Sequence, residues 1–413
     1  MSLYFRFVVF LSRRLVMWVS PSCRVCCGTM VVSVGLLLAF TAGCDKIPKM
    51  SDLAKSNNKQ AEDLSKEQKT DKPGTAPAAQ AKTSAPTPEQ PKVRPQPPKP
   101  AGPDPDLVIG QFLKKSPPQR TDADLQALTA LDSKLDTITE VDLTGSKVTP
   151  AGLELLAKLP NLRSLTVSAM ELSEGHFQAI AKLTGLRELH ARSYRGEPAA
   201  LRHLNGMPQL EVLDLAFGAR VDDNALTVLE DLPALKEIDL MGTPVTDAGV
   251  PLLSRFPALQ KINLHKSRIM TGDGFKKLET PDLRWLNVSE TGFSRLGFVH
   301  LKKFRHLETF ICGNAGVVDS NMPGLVGLPN LRELNLSFNS LTDAGMQFFA
   351  RAAFKNTLEV LSLQANRKIT DRGATFLKGF KALKELDLRG TAITPATVAA
   401  MRQYFQGAVI KHP

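Results

Sequence analysis

An α/β solenoid, a horseshoe with short parallel strands on its concave face and helices on its convex face, is the fold this sequence predicts. Three observations predict it. An apolar residue opens the same unit at Ile138, Leu162, Leu186, Leu210, Leu235, Leu259, Leu283, Leu307, Leu331, Leu358 and Leu383, at intervals of 24, 24, 24, 25, 24, 24, 24, 24, 27 and 25 residues. A fixed period between about 20 and 29 residues is the mark of stacked coils that share one long core. Within a unit, positions one, four and six are apolar, as in Leu331, Leu334 and Leu336, which suits a short strand entered from a turn. Past the strand comes a pair such as Thr342-Asp343, whose threonine oxygen can accept the free N–H groups of a new helix. About eleven units follow from this count.

The chain before the repeats divides by composition. Residues 1–43 read as an export signal: Arg13, Arg14 and Arg24 are positive, and Val31 to Phe40 is an apolar core too short to cross a bilayer comfortably. A start at Met17 would leave Arg24 and that core intact. The segment ends in Thr41-Ala42-Gly43-Cys44, which resembles a bacterial lipobox, with Thr41 where that pattern usually carries leucine. The resemblance implies a lipid on Cys44 and a chain held in a bacterial envelope; an ordinary cleaved signal and an uncleaved anchor are the alternatives. Cys23, Cys26 and Cys27 are spaced like a metal or redox cluster, but a targeting segment builds no scaffold around them. With the leader removed only Cys44 and Cys312 remain, so no internal disulfide framework is expected.

Residues 44–120 read as a linker. Eleven prolines fall between Pro73 and Pro105, favouring extended geometry of about 3.1 Å per residue where they are dense. Of the 52 Lys/Arg and 41 Asp/Glu, residues 1–120 hold 18 and 9, leaving a near-balanced 34 and 32 for the repeats. The basic charge therefore belongs to leader and linker, and a nucleic-acid partner loses its main support. Residues 121–137, with Thr121-Asp122 and then Leu125, Leu128 and Leu131, repeat the helical half of a unit without its strand. They read as a capping helix over the first coil of a domain spanning 138–413.

Position nine of the units holds mostly Ser, Thr or Asn (Ser146, Thr243, Ser267, Thr291, Asn339, Asn366, Thr391), which can satisfy backbone groups where the chain leaves the strand. Met170, Tyr194 and Ala315 mark the irregular second, third and eighth units. The pattern Leu235…Ile238…Leu240…Thr243…Val245-Thr246-Asp247-Ala248-Gly249 resembles leucine-rich repeats of the ribonuclease-inhibitor-like and cysteine-containing type, as in GALA-like proteins and the exported repeat proteins of planctomycete-like bacteria. This chain places Ser, Thr or Asn where the cysteine-containing form has Cys. The resemblance implies a protein-binding horseshoe with no shared catalytic set.

Strand positions three, five and seven should line the concave face. Position five is rich in Asp and Asn; the two ends of the arc are acidic, and the middle carries Lys261, His265, Lys266, Trp285 and Ile311 beside Asn263 and Asn287. With Glu237, Asp239 and Asn335 these form the candidate binding set, centred on Trp285 as the anchor of a protein or peptide interface. The bland reading has Asp and Asn pairing between strands and Trp285 packing sideways on Lys261. His190 should lie one coil from Asp214 as a surface pair. No Gly-x-Ser-x-Gly, phosphate loop or paired-histidine motif occurs, so neither an enzyme, a cofactor nor a metal is expected. The predicted function is an envelope-anchored, monomeric interaction module; the alternative is a surface spacer without a specific ligand.

Overall fold

The computed structural model describes residues 102–412, so the export signal, Cys44 and the linker up to residue 101 lie outside the described residues. Twelve three-residue strands run in chain order: β1 Glu140–Asp142, β2 Ser164–Thr166, β3 Glu188–His190, β4 Val212–Asp214, β5 Glu237–Asp239, β6 Lys261–Asn263, β7 Trp285–Asn287, β8 Thr309–Ile311, β9 Glu333–Asn335, β10 Val360–Ser362, β11 Glu385–Asp387 and β12 Val409–Lys411. They form one parallel sheet in sequence order. Position three always pairs with position three, so the register read from the period holds, and β12 adds a closing strand to the eleven units.

The alternation dictates the core. Position four is buried in every strand, and position six behind it is fully buried in every unit, from Leu143 through Leu240 and Cys312 to Leu388. Burial pushes the Cys312 thiol well above its ordinary pKa, which suits a packing role over a nucleophilic one.

The convex side carries helices α1 Pro105–Lys114, α2 Asp122–Thr129, α3 Pro150–Leu155, α4 Glu174–Ala181, α5 Asp223–Val228, α6 Asp343–Met346, α7 Asp371–Ala374 and α8 Pro395–Tyr404. Two differences from expectation appear. Units three and five to eight have 3₁₀ segments there instead of α-helices: Pro198–Leu204, Val250–Arg255, Asp273–Lys276, Phe293–Arg295, Phe298–Lys303 and Asp319–Gly324. Pro251, Gly274, Gly297 and Pro323 interrupt any longer α-helical run. Phe275, Phe293, Phe298, Phe304 and Phe310 fill the core beneath, with ring centroids 4.9–6.4 Å apart. The second difference concerns the linker boundary at residue 120, since the fold already includes α1. Phe112 is buried, Arg120 stacks over its ring at 4.3 Å, and the same guanidinium donates to the Asp142 carbonyl at the end of β1. The cap thus starts earlier than its Thr121 signal. Among the described residues no helix is long and apolar enough to cross a membrane.

Polar devices repeat at the joints between coils. Position eight has positive φ in all eleven units, yet only Gly145, Gly242 and Gly390 are glycines there. Position nine behaves as read: Asn366 Nδ2 donates to the carbonyls of Leu336 and Leu363 (both 2.9 Å), and Leu341 N–H donates to its Oδ1 (3.0 Å), tying two coils together. In the irregular eighth unit, Asn339 of the next coil supplies the missing group, accepting from Ala315 N–H (3.2 Å) and Val317 N–H (2.9 Å).

Candidate functional site

The concave face is built by positions three, five and seven of adjacent strands. The structure brings all ten candidate residues onto it or its rim: Trp285, Lys261, His265, Lys266, Asn263, Asn287, Ile311, Glu237, Asp239 and Asn335 are each half-buried. Position five is therefore less free than its outward direction implies. Its side chain accepts from the N–H two residues on, as in Asp239 from Met241 (2.9 Å), Asn263 from His265 (3.2 Å), Asn287 from Ser289 (3.0 Å) and Asn335 from Ser337 (3.0 Å). Position seven leaves the strand without a ladder partner on that side, and the Asx oxygen supplies one. The preference for Asp or Asn at position five follows from this local need. Asp239 is therefore tied into its strand exit as well as facing outward.

The same bond fixes what the face offers. Because each asparagine oxygen is engaged by an N–H, its amide nitrogen must point away from that bond. Asn263 spends its nitrogen on Asp239 (3.1 Å). Among the described residues nothing accepts from the nitrogens of Asn287 and Asn335, two strands apart with Ile311 between them. At a strand spacing of about 4.8 Å, the two stand roughly 10 Å apart.

The middle is no free basic patch. Lys261 pairs with Glu237 (2.7 Å), and its ammonium lies 4.9 Å from the centre of the Trp285 ring. Trp285 thus packs sideways on Lys261 while keeping part of its surface in water. His265 pairs with Glu290 (3.0 Å), which also attracts Lys266 (3.8 Å) and Arg268 (3.8 Å). The His265 hydrogen bond, followed by these cations, holds the Glu290 carboxyl below its usual pKa. Beyond Trp285 the face turns neutral: Asn287, Thr309, Ile311, Gly313, Asn335, Ser337, Val360 and Ser362 flank a single charge, Glu333.

At the other side of the arc, His190 and Asp214 do meet, at 3.4 Å, with Glu188 (3.7 Å) and Arg192 (3.6 Å) beside them. The bond to Asp214 raises the His190 pKa against the opposing effect of burial. Burial likewise raises Asp239, despite its bonds to Met241 and Asn263. This is an ion-pair cluster on a solvated sheet. Among the described residues no group of three or more His, Cys, Asp or Glu side chains is placed to hold a metal ion.

Sequence reasoning passed over the loop edge of units one to three. Two adjoining pockets there are lined by Gly145–Pro150, Ala169–Leu172 and His176, and by Ser193, Arg195 and Gly196. The His176 ring bridges two units: Ser173 N–H donates to Nδ1 (3.0 Å), and Nε2 donates to the Val148 carbonyl (3.1 Å). Its position three residues after Ser173 was the available signal, because glutamate or glutamine usually completes such a cap.

A one-sheet parallel solenoid with this period and this Asx/Ser/Thr bracing has the leucine-rich-repeat fold. Residues 135–157, 327–350 and 354–378 match the family described as Leucine Rich repeat. The chain is similar to the CD180 antigen of Mus musculus, 28% identical over 187 residues that cover 43% of this chain and 28% of that protein. It is also similar to leucine-rich repeat-containing protein 42 of Xenopus laevis, 42% identical over 71 residues covering 16% of this chain and 17% of the other. The matches thus span less than a third of either relative. Among solved structures, a leucine-rich-repeat protein of Leptospira interrogans aligns with a TM-score of 0.46 at 17% identity, covering 70% of this chain and 80% of that one.

Proposed function

We propose that this protein is an envelope-anchored interaction module whose concave face binds a protein or peptide. In this reading residues 1–43 direct export and Cys44 carries the lipid. The linker is a solvated tether, and the domain acts as a monomer. Its repeats belong nearest the ribonuclease-inhibitor-like and cysteine-containing type. Solenoids of this class present an extended concave surface suited to binding other proteins. The observation that carries the reading is the neutral surface beside Trp285, where the amide donors of Asn287 and Asn335 flank Ile311. Backbone carbonyls of an extended peptide would satisfy those two nitrogens, and the indole supplies the apolar anchor.

The test is affinity capture from the protein's own envelope fraction with wild type, Trp285→Ala and Asn287→Asp. The Asn287→Asp change keeps the oxygen that Ser289 needs and turns the outward donor into an acceptor. A partner held by wild type and lost about tenfold or more by both variants supports the site, since truncating a central anchor costs about 2 kcal/mol or more. Equal retention by all three would overturn it. Fatty-acid labelling that enters wild type but not Cys44→Ser tests the anchor separately.

A further inference from the structure

The convex side of units six and seven sets exposed aliphatic side chains in line with cations. A 3₁₀ helix turns once every three residues, so its side chains line up in straight rows. In Phe298–Lys303 one row, Phe298, Leu301 and Phe304, is buried. The opposite row begins just before the helix and runs Leu296, Val299, Lys302, Arg305; Leu296 is 47% and Val299 63% exposed. Alongside it, Lys303 Nζ donates to the Lys276 carbonyl of the preceding unit (3.2 Å), which brings Lys276 and Lys277 to the same ridge.

The cations here are free in a way the concave ones are not. Elsewhere in units five to seven, cations such as Arg255, Lys261, His265 and Arg284 find carboxylates. Among the described residues, Lys276, Lys277, Lys302, Lys303 and Arg305 make no ion pair. The nearby acids are Asp273, Glu279 and Asp282, fewer than the cations. The charge acts on its surroundings: burial first, then Lys303, Lys276 and Lys302, depress the pKa of His300, with Asp273 opposing.

We infer that this ridge rests on an anionic lipid surface, with Leu296 and Val299 entering the headgroup layer and the lysines meeting lipid phosphates and carboxylates. Exposed apolar side chains in line with unpaired cations match a layer that is apolar beneath and anionic above. Lysine predominates over arginine on the ridge. Lysine is depleted in protein–protein interfaces, while its mobile point charge suits a diffuse layer of headgroups. A nucleic acid would use the cations but give the two aliphatic side chains no partner. The inference concerns the face opposite the proposed protein-binding surface and needs neither that surface nor the lipid on Cys44.

The experiment uses the full chain carrying Cys44→Ser, so that no attached lipid contributes. Binding is measured to phosphatidylcholine vesicles with and without phosphatidylserine. Wild type should bind the anionic vesicles. Lys277→Glu/Lys302→Glu should bind them about tenfold more weakly, at about 1 kcal/mol per surface cation. Leu296→Ser/Val299→Ser should weaken binding several-fold without changing net charge. Arg372→Glu/Lys381→Glu, a charge-matched pair on the convex side of unit ten, should bind as wild type does. Equal loss in both charge-reversal pairs would assign the effect to overall charge and overturn the inference. No loss in either would assign it to the linker and overturn it as well. Binding to duplex DNA as strong as to vesicles, and indifferent to the two serines, would make the ridge a polyanion site instead. Circular dichroism confirms that each variant is folded.

Discussion

The Asp343 carboxylate fastens one coil to the next: it accepts from Thr370 N–H (2.8 Å), from Thr370 Oγ1 (2.6 Å) and from Gly373 N–H (3.0 Å). Asp343 opens its own helix, while Thr370 caps the next. The same bracket joins Asp122 to Thr149, Asp223 to Thr246, Asp247 to Thr271, Asp319 to Thr342 and Asp371 to Thr394. All of these acids but Asp247 also sit in the first turn of their own helix, where negative charge is favoured. Their larger role is to satisfy the first amides of the following unit.

Asp343→Ala should therefore destabilise the protein by about 2–3 kcal/mol, the usual range for charge-assisted bonds lost at a half-buried site. Urea unfolding measures it, and hydrogen exchange should show the loss concentrated in units nine and ten. A change below about 0.5 kcal/mol would reduce the bracket to a surface contact.

Gly345→Ala should also destabilise, although alanine is the better helix former by up to about 1 kcal/mol. A Cβ at Gly345 would land on the Asp319 carboxylate, and the same crowding holds for Gly249 with Asp223 and for Gly373 with Asp343. The glycine of Thr-Asp-Ala-Gly is thus required by the neighbour's bracket. A stabilised Gly345→Ala protein, seen as a raised melting temperature, would show that the carboxylate can move aside freely.

Position eight predicts opposite signs at one register. Ala365 (φ 62°) and Gly390 (φ 71°) occupy equivalent left-handed positions in neighbouring units. A left-handed conformation costs an ordinary residue about 1–2 kcal/mol, partly offset by the freedom glycine gains when unfolded. Ala365→Gly should be neutral to stabilising by up to about 1 kcal/mol, and Gly390→Ala destabilising by about 1 kcal/mol. Paired denaturant melts check both.

Much of this was legible in the sequence because the period, the strand register and the inward positions are set by local alternation. Leu240 and Asp239 fell on opposite faces for that reason. The left-handed turn was hidden, because eight of its eleven residues, Phe217 and Phe338 among them, carry no glycine signal. The Asp bracket was hidden because it joins residues more than twenty apart. On the face itself, Trp285 was legible as a central residue. Its neighbours Lys261 and His265 looked free, because their carboxylate partners Glu237 and Glu290 lie on adjacent coils.

His190 should carry a pH dependence of its own. Its pKa is raised, first by the hydrogen bond to Asp214. The folded protein therefore holds this proton more tightly than the unfolded chain. Its stabilising contribution is complete below about pH 6.5 and is lost as pH rises through the folded value. NMR titration should place His190 above an ordinary histidine, and Asp214→Asn should bring it back. In His190→Gln the corresponding slope of stability with pH should vanish.

Leu240 and Asp239 are neighbours at the exit of β5 that face opposite ways. Leu240 is fully buried between coils, so Leu240→Ala removes packed methyl groups and leaves a cavity, costing about 2–5 kcal/mol. Asp239 points the other way but is half-buried and accepts from Met241 N–H and Asn263 Nδ2. Asp239→Ala should cost about 1 kcal/mol, more than a free surface residue and less than the leucine. Asp239→Asn should cost less than the alanine, because its oxygen still serves Met241. The new amide nitrogen cannot accept from Asn263 Nδ2, which offsets the relief of a carboxylate whose charged form burial disfavours. Equal melting shifts for Asp239→Asn and Asp239→Ala would show that the strand-exit bond contributes nothing. The prevalence of Asp and Asn along position five would then have to come from what the concave face binds.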